Sequence, residues 1–241
     1  MTANRDEVRD RISGGKGDAG VIVPAATVIL LRDTSAGPET LMLRKNSKIA
    51  FGGMWVFPGG RVDDEDVPGG AEEERARAAA VREAAEEASL SVAPETLVCF
   101  SHWTPPPIDI RRFSTWFFVA RAPAEEVTID DGEITESQWI RPVDALAKQR
   151  SKEIELVPPT YVTLHYLAGQ ENVDQALRGI VPKSGPRRYV TQITKSDEGM
   201  VVLWEGDAGY ATLDASVAGP RHRLTMTKEG FAFDDSGLAG E

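Results

Sequence analysis

The chain has 241 residues, with 27 Lys and Arg against 38 Asp and Glu, and a formal net charge of −11. At 41% hydrophobic and 27% charged residues, it has the makeup of a folded globular protein and not of a disordered or fibrous one. The acidity argues against unaided binding to nucleic acid or an anionic membrane, both of which need clustered Lys and Arg. A phosphate-bearing partner would have to be met by local basic residues or by a metal ion. A single cysteine, Cys99, excludes an intrachain disulfide, and His102, His165 and His222 lie too far apart for zinc-ligand spacing. The N-terminus is polar and lacks the apolar core of a signal peptide. The longest apolar run, residues 21–31, falls short of the ~20 residues that span a bilayer. A reducing cytoplasm is the expected compartment.

Residues 1–20 read as a mobile tail. Its Gly15-Lys16-Gly17-Asp18-Ala19-Gly20 run matches G-x-G-x-x-G. A dinucleotide loop needs a strand before that run and a helix after it, whereas here a polar tail precedes it and a strand follows. Residues 21–31 and 40–46 alternate as two strands around a turn-rich linker and predict a hairpin. A short apolar stretch, 54–57, ends at Pro58-Gly59-Gly60. Residues 71–88, almost wholly Ala, Glu and Arg, carry the strongest helix signal. Residues 97–103, 113–120 and 137–140 read as strands. A helix over 142–149 starts with proline, and 159–168 and 173–177 look helical. Beyond Gly185-Pro186, strands over 189–194, 200–204 and 222–227 suggest a β annex. The domain expectation is therefore a tail over 1–20, a main domain over 21–181, and an annex with its tail over 182–241.

Chemistry concentrates in Arg82-Glu83-Ala84-Ala85-Glu86-Glu87. On a helix, positions i, i+3 and i+4 share a face, so Glu83, Glu86 and Glu87 project together, and Ala78, Val81, Ala85 and Ala88 are expected on the inward face. An acidic solvent-facing helix is the plain alternative. Against it, neighbouring like charges cost a few tenths of a kcal/mol per pair, and three convergent carboxylates form the hard oxygen set that suits Mg2+ or Mn2+.

These residues resemble the Nudix hydrolase family (MutT-like), whose box reads G-x5-E-x7-R-E-U-x-E-E-x-G-U, with U bulky and aliphatic. Glu74, seven residues, and Arg82-Glu83-Ala84-Ala85-Glu86-Glu87-Ala88-Ser89-Leu90 follow the pattern, and Phe57-Pro58-Gly59-Gly60 looks like the strand-to-loop that opens it. Thirteen residues separate Gly60 from Glu74 where the pattern has five, so the box carries an insertion with Asp63-Asp64-Glu65-Asp66. That insertion, with Leu41-Met42-Leu43-Arg44, Trp103-Thr104-Pro105 and Arg111-Arg112-Phe113-Ser114-Thr115, resembles the branch that includes the peroxisomal coenzyme A diphosphatases. Two residues depart from the box. Ala84 is smaller than its aliphatic residue, and Ser89 replaces a glycine that would leave the helix with positive φ, a conformation serine resists by roughly 1 kcal/mol.

The resemblance implies an α/β fold: a Nudix-type α/β/α sandwich around a mixed sheet, with C-terminal helices and a small β annex. It implies hydrolysis of a diphosphate linkage in a small-molecule nucleoside diphosphate conjugate, with Mg2+ or Mn2+ as cofactor and neither nucleic acid nor membrane as partner. Coenzyme A or an acyl derivative is the first substrate choice, and an ADP-sugar or a dinucleotide the alternative. Glu86 and Glu87 would ligate the metal, Glu83 directly or through water, and the backbone of Gly60 or Gly59 would add oxygen. Arg82 would orient the carboxylates, and Glu74 would pair with it or with another basic residue. The general base would be Glu133, with Glu136 second. Arg44, Arg61, Arg111 and Arg112 would donate to phosphates. Trp103 would either stack on a base or fill core. Family members are often homodimers, though no residue here marks an interface. A non-catalytic Nudix-like nucleotide-binding regulator is the reading from another class, and Ser89 is its best support.

Overall fold

The computed structural model describes residues 21–47, 52–107, 112–130, 132–182 and 184–238. The expected tail with its Gly15–Gly20 pattern lies outside them, as does Arg111. By contact the chain forms two compact units. One comprises Pro24–His102 and Thr115–Arg187, and the other the described parts of Met1–Val23, Trp103–Ser114 and Arg188–Glu241.

In the first unit, β1 (Ile22–Thr34) and β2 (Gly37–Lys45) form the expected hairpin, in register from Leu31 opposite Thr40 to Thr34 opposite Gly37. The short β3 (Trp55–Val56) pairs with β2, and β4 (Gly59–Arg61) pairs with β1. After α1 (Glu72–Ala88), strands β5 (Val98–Thr104) and β6 (Arg112–Arg121) extend the sheet in the order β3-β2-β1-β6-β5, and β7 (Ile134–Ile140) pairs with β2. Three helices follow: α2 (Pro142–Arg150), α3 (Pro158–Ala168) and α4 (Val173–Gly179). Proline at their first turns suits α2 and α3, because an N–H missing there has no helical acceptor.

Strand alternation gives the sheet two apolar faces. Ala26, Val28 and Leu30 of β1, Leu41 and Leu43 of β2, and Trp116, Phe118 and Ala120 of β6 bury against Ala76, Ala79, Ala80, Ala84 and Ala88 of α1. An alanine stripe brings the helix axis close to the sheet, so the small Ala84 suits its place. The helix is rotated from the expected face: Ala85 is exposed and Ala78 and Val81 are half-buried, while Glu87 is buried. The spacing of four from Ala76 to Ala88 sets the packed stripe, and Glu83 and Glu87 lie beside it. On the opposite face Ile29, Leu31, Met42, Phe117 and Val119 are buried, as are Ala145, Val162, Leu164, Leu167, Val173 and Ala176 of the later helices. Asp33 accepts from the Val173 N–H at 2.8 Å, and Arg121 joins Asp33 to Asp174, which ties α4 to the sheet. This is an α/β/α sandwich.

In the second unit, β8 (Arg187–Val190) is followed by β9 (Gln192–Ser196), β10 (Gly199–Leu203), β11 (Arg223–Met226) and β12 (Phe231–Asp234), the last four forming an antiparallel sheet in the order β12-β11-β10-β9. The expected strand over 189–194 is cut in two. The Thr191 N–H bonds to the Thr104 carbonyl, and β9 begins a separate sheet beyond it. The described residues of 103–114 belong to this unit by contact. Trp103 is 3% exposed and stacks on Tyr189 at 3.7 Å between ring centroids, with Trp204 edge-on to both. Trp103 is therefore a core side chain. Asp207 takes two bonds from Arg223 and accepts from the N–H groups of Gly209 and His222, a buried ion pair with its lone pairs filled. Among the described residues no helix is long and apolar enough to cross a membrane.

Candidate active site

The site is built where β4 slides between β1 and α1. Gly60 faces Ala26 and Gly59 faces Thr27. A Cβ on Gly60 would collide with the Glu83 carboxylate, and one on Gly59 with the β1 backbone. The glycine pair therefore lets a backbone strand pass directly under the carboxylates of the helix. The Gly59 N–H donates to Glu87 Oε2 at 2.9 Å.

The other Glu87 oxygen meets Lys45 Nζ in a buried ion pair. Leu41, Leu43 and Lys45 alternate along β2 on the face that packs under α1, so the ammonium ends beneath the helix. Sequence reasoning missed Lys45, and the signal was a lysine in phase with buried leucines. Burial raises the Glu87 carboxyl above the usual range, although Lys45 and the Gly59 N–H oppose the shift and Glu83 adds to it. Glu83 is raised for the same first cause, burial, against the pull of Arg82 and with repulsion from Glu86.

Arg82 spreads its guanidinium over the other carboxylates. Its Nη1 donates to Glu83 at 2.9 Å and to Glu86 at 3.0 Å. Its Nε and Nη2 reach both oxygens of Asp66 at 3.2 and 3.1 Å, and Nη2 also donates to the Arg61 carbonyl at 2.8 Å. Asp66, from the insertion, is 7% exposed. Burial pushes its carboxyl up, but the Arg82 bonds and the Asp63 N–H outweigh this and hold it below the ordinary range. The insertion is thus clamped to the helix through one arginine. Sequence reasoning missed Asp66 as well, since nothing in an acidic run sets one aspartate apart.

The remaining expected residues scatter. Glu133 lies with Lys45, their charged atoms 3.6 Å apart, and its side chain is 65% exposed. Glu136 pairs instead with Arg44 at 2.5 Å, across β7 and β2. Arg44 precedes Lys45 on the strand and faces the other way, into an open groove of about 420 Å3 lined also by Trp55, Gln138, Lys148 and Glu153. Arg44 and Glu136 are therefore not brought to the helix carboxylates. Arg61 is exposed beside Gly60. Arg112, expected as a phosphate donor, is buried in the second unit and donates to the carbonyls of Pro105 and Pro106. Glu74 accepts from the Ala71 N–H at 3.0 Å, capping its own helix rather than pairing with Arg82. Ser89 adopts φ 57°, as the glycine it replaces would, and its hydroxyl donates to the Thr128 carbonyl.

Among the described residues no three His, Cys, Asp or Glu side chains stand together as a ready-made metal cluster. Lys45 holds Glu87, and Arg82 holds Glu83 and Glu86. The donor set nonetheless fits a hard divalent cation. Glu83, Glu86 and Glu87 crowd the C-terminal half of α1, whose last turn has no basic residue. The helix dipole there favours positive charge. With Glu87 buried and Glu83 half-buried, one lysine and one shared arginine only partly balance the negative charge, and the Arg61 carbonyl of β4 bonds to that same arginine.

Comparison with known proteins agrees with this architecture. The NUDIX domain model matches residues 22–159. The acyl-coenzyme A diphosphatase NUDT19 of Xenopus laevis is 28% identical over 137 residues, which cover 54% of this chain and 36% of that protein. The chain thus matches about a third of that relative's length. The crystal structure of a NUDIX hydrolase from Alicyclobacillus acidocaldarius superposes with a TM-score of 0.59 at 22% identity, covering 68% of this chain and 99% of that one, and shows the same fold. With its glycine pair under a helix of clustered carboxylates, and the family pattern matched over more than half its length, the chain belongs to the Nudix hydrolase family.

Proposed function

We propose that the chain hydrolyses a diphosphate linkage in a nucleoside diphosphate conjugate, with Mg2+ or Mn2+ as its cofactor. The observation that carries this reading is the burial of Glu87, with Glu83 half-buried beside it, against the Gly59-Gly60 backbone, with more carboxylate than cation around them. Glu83, Glu86 and Glu87 would hold the cation, and the Gly60 carbonyl would add an oxygen. Held by these residues, a divalent cation would supply charge neutralisation for a diphosphate and a more acidic bound water. Arg82, anchored by Asp66, keeps Glu83 and Glu86 spread. Glu133 is the proposed general base because it shares Lys45 with Glu87, whereas Glu136 is engaged by Arg44 elsewhere. Arg61, exposed beside Gly60, is the proposed donor to substrate phosphate.

For the conjugate we favour coenzyme A or an acyl derivative. The support is the insertion and flanking segments, together with the name of the diphosphatase matched over half of the chain. Purified protein with Mg2+ and a panel of coenzyme A, acyl-coenzyme A, ADP-sugar and dinucleotide substrates tests both levels. The Glu86→Gln/Glu87→Gln variant should lose about two orders of magnitude or more in rate. Equal turnover by wild type and variant refutes the reading. Thermal stabilisation by a conjugate without product would make the chain a nucleotide-binding module instead.

A further inference from the structure

Lys45 is a buried cation shared between two carboxylates from separate elements. Its ammonium is paired with Glu87 on α1 and lies 3.6 Å from Glu133 on the loop before β7. The side chains differ in freedom. Glu87 is 4% exposed and pinned through its second oxygen by the Gly59 N–H, whereas Glu133 is 65% exposed. The Glu133 backbone is anchored: its N–H donates to Asp130, and its carbonyl accepts from the Asn46 N–H. One carboxylate is therefore buried and bonded at both oxygens and the other is exposed on an anchored backbone, with the Lys45 ammonium between them.

We propose that Lys45 is an exchangeable internal cation: it occupies Glu87, competes there with a divalent metal ion, and passes to Glu133 when the metal takes Glu87. This rests on the metal-binding reading above. A cation that binds Glu87 meets an ammonium on the same oxygen, and two positive charges a few ångströms apart in a buried site repel strongly. A buried ammonium cannot be left unpaired without cost, and Glu133 is the carboxylate already beside it. Metal occupancy would then draw the Glu133 side chain inward, toward the position from which it acts as the proposed base. Lys45 is in this sense a positioning residue, acting on the reaction through Glu133.

The test is Mn2+ affinity of the 241-residue chain, measured by calorimetry on wild type, Lys45→Met, Lys45→Arg, Glu133→Gln and the Lys45→Met/Glu133→Gln double variant. Removing the competing charge should tighten Mn2+ binding at least about tenfold in Lys45→Met. Lys45→Arg keeps the charge and should stay within about threefold of wild type. Glu133→Gln removes the destination of the ammonium and should weaken binding about fivefold. The same change in the Lys45→Met background should alter affinity by less than about twofold, because no ammonium then needs a destination. A bystander charge would give the Lys45→Met gain, but the Glu133 effect would be equal in both backgrounds, and that result overturns the proposal. Unchanged or weaker binding by Lys45→Met also overturns it while leaving the metal reading intact. Failure of the wild type and all variants to bind Mn2+ refutes the metal reading, and the proposal with it. Should Lys45→Met not fold, Lys45→Gln carries the same comparison, since its amide still serves Glu87.

Discussion

Replacing Arg82 by lysine keeps the charge and removes the shape. The guanidinium donates at once to Asp66, Glu83, Glu86 and the Arg61 carbonyl, in two directions set by its plane. An ammonium has three donors at one point, so it serves either the insertion or the helix carboxylates. Asp66 is 7% exposed and would be left with the Asp63 N–H as its remaining partner. Losing hydrogen bonds between charged groups costs about 1.5–3 kcal/mol in a buried setting. Arg82 itself is 27% exposed, so we take the lower end, about 2 kcal/mol. For a chain of this size that is a fall in melting temperature of about 6 °C. On the proposed role of Glu83 and Glu86 as metal ligands, loosening them should reduce the Mg2+-supported hydrolysis rate about 10–100-fold, as expected of a residue that orients ligands. Calorimetric melting in chelator and a rate assay at saturating Mg2+ read the two effects separately. An Arg82→Lys variant that melts within about 1 °C of wild type and keeps its rate would show that the fork geometry is irrelevant and refute the reasoning.

Gly60→Ala should cost about 1 kcal/mol or somewhat more, from overpacking, and should lower the hydrolysis rate by more than the lost stability explains, because the new Cβ displaces the Glu83 carboxylate; melting and rate measured on one preparation check this. At Ser89, alanine keeps the strained left-handed backbone and loses the bond to Thr128, so Ser89→Ala should be about 1 kcal/mol less stable, whereas Ser89→Gly trades the bond for strain relief and should lie near zero; denaturant titration distinguishes them. In the second unit, Asp207→Asn leaves Arg223 buried beside a neutral group and should cost about 3 kcal/mol. Burial pushes the Asp207 carboxyl up, but bonds from Arg223 and from the His222 and Gly209 N–H groups hold it below its ordinary 3.8. Its charged form is therefore favoured by folding. That contribution is complete above pH 3.8 and is lost as pH falls through the lowered folded value, so acid unfolding of Asp207→Asn should be shallower in that range.

Local periodicity made most elements legible. The hairpin, the Ala/Glu/Arg helix and the proline-started helices are each specified by neighbours within a few residues, and they form where expected. Helical spacing also put Glu83, Glu86 and Glu87 on one face, while the packing of Gly59 and Gly60 under that helix came only from the structure. The divided strand at Thr191 was hidden because its partner, Thr104, is far away in sequence. The helix rotation was hidden because α1 has alanine on almost every side: packing of Ala76, Ala80, Ala84 and Ala88 against the sheet chose the buried stripe, and with it the burial of Glu87. Charge pairing was the least visible property. Arg44 and Lys45 are adjacent and alike in sequence, yet the strand sends one to an open groove with Glu136 and the other under the helix to Glu87. By itself, then, the sequence determined the elements, the family and the helical spacing of Glu83, Glu86 and Glu87, because those follow from short-range pattern. The tertiary structure alone decided which cations meet which carboxylates, because pairing across strands and helices depends on face and register, and Lys45 and Asp66 enter the site only through them.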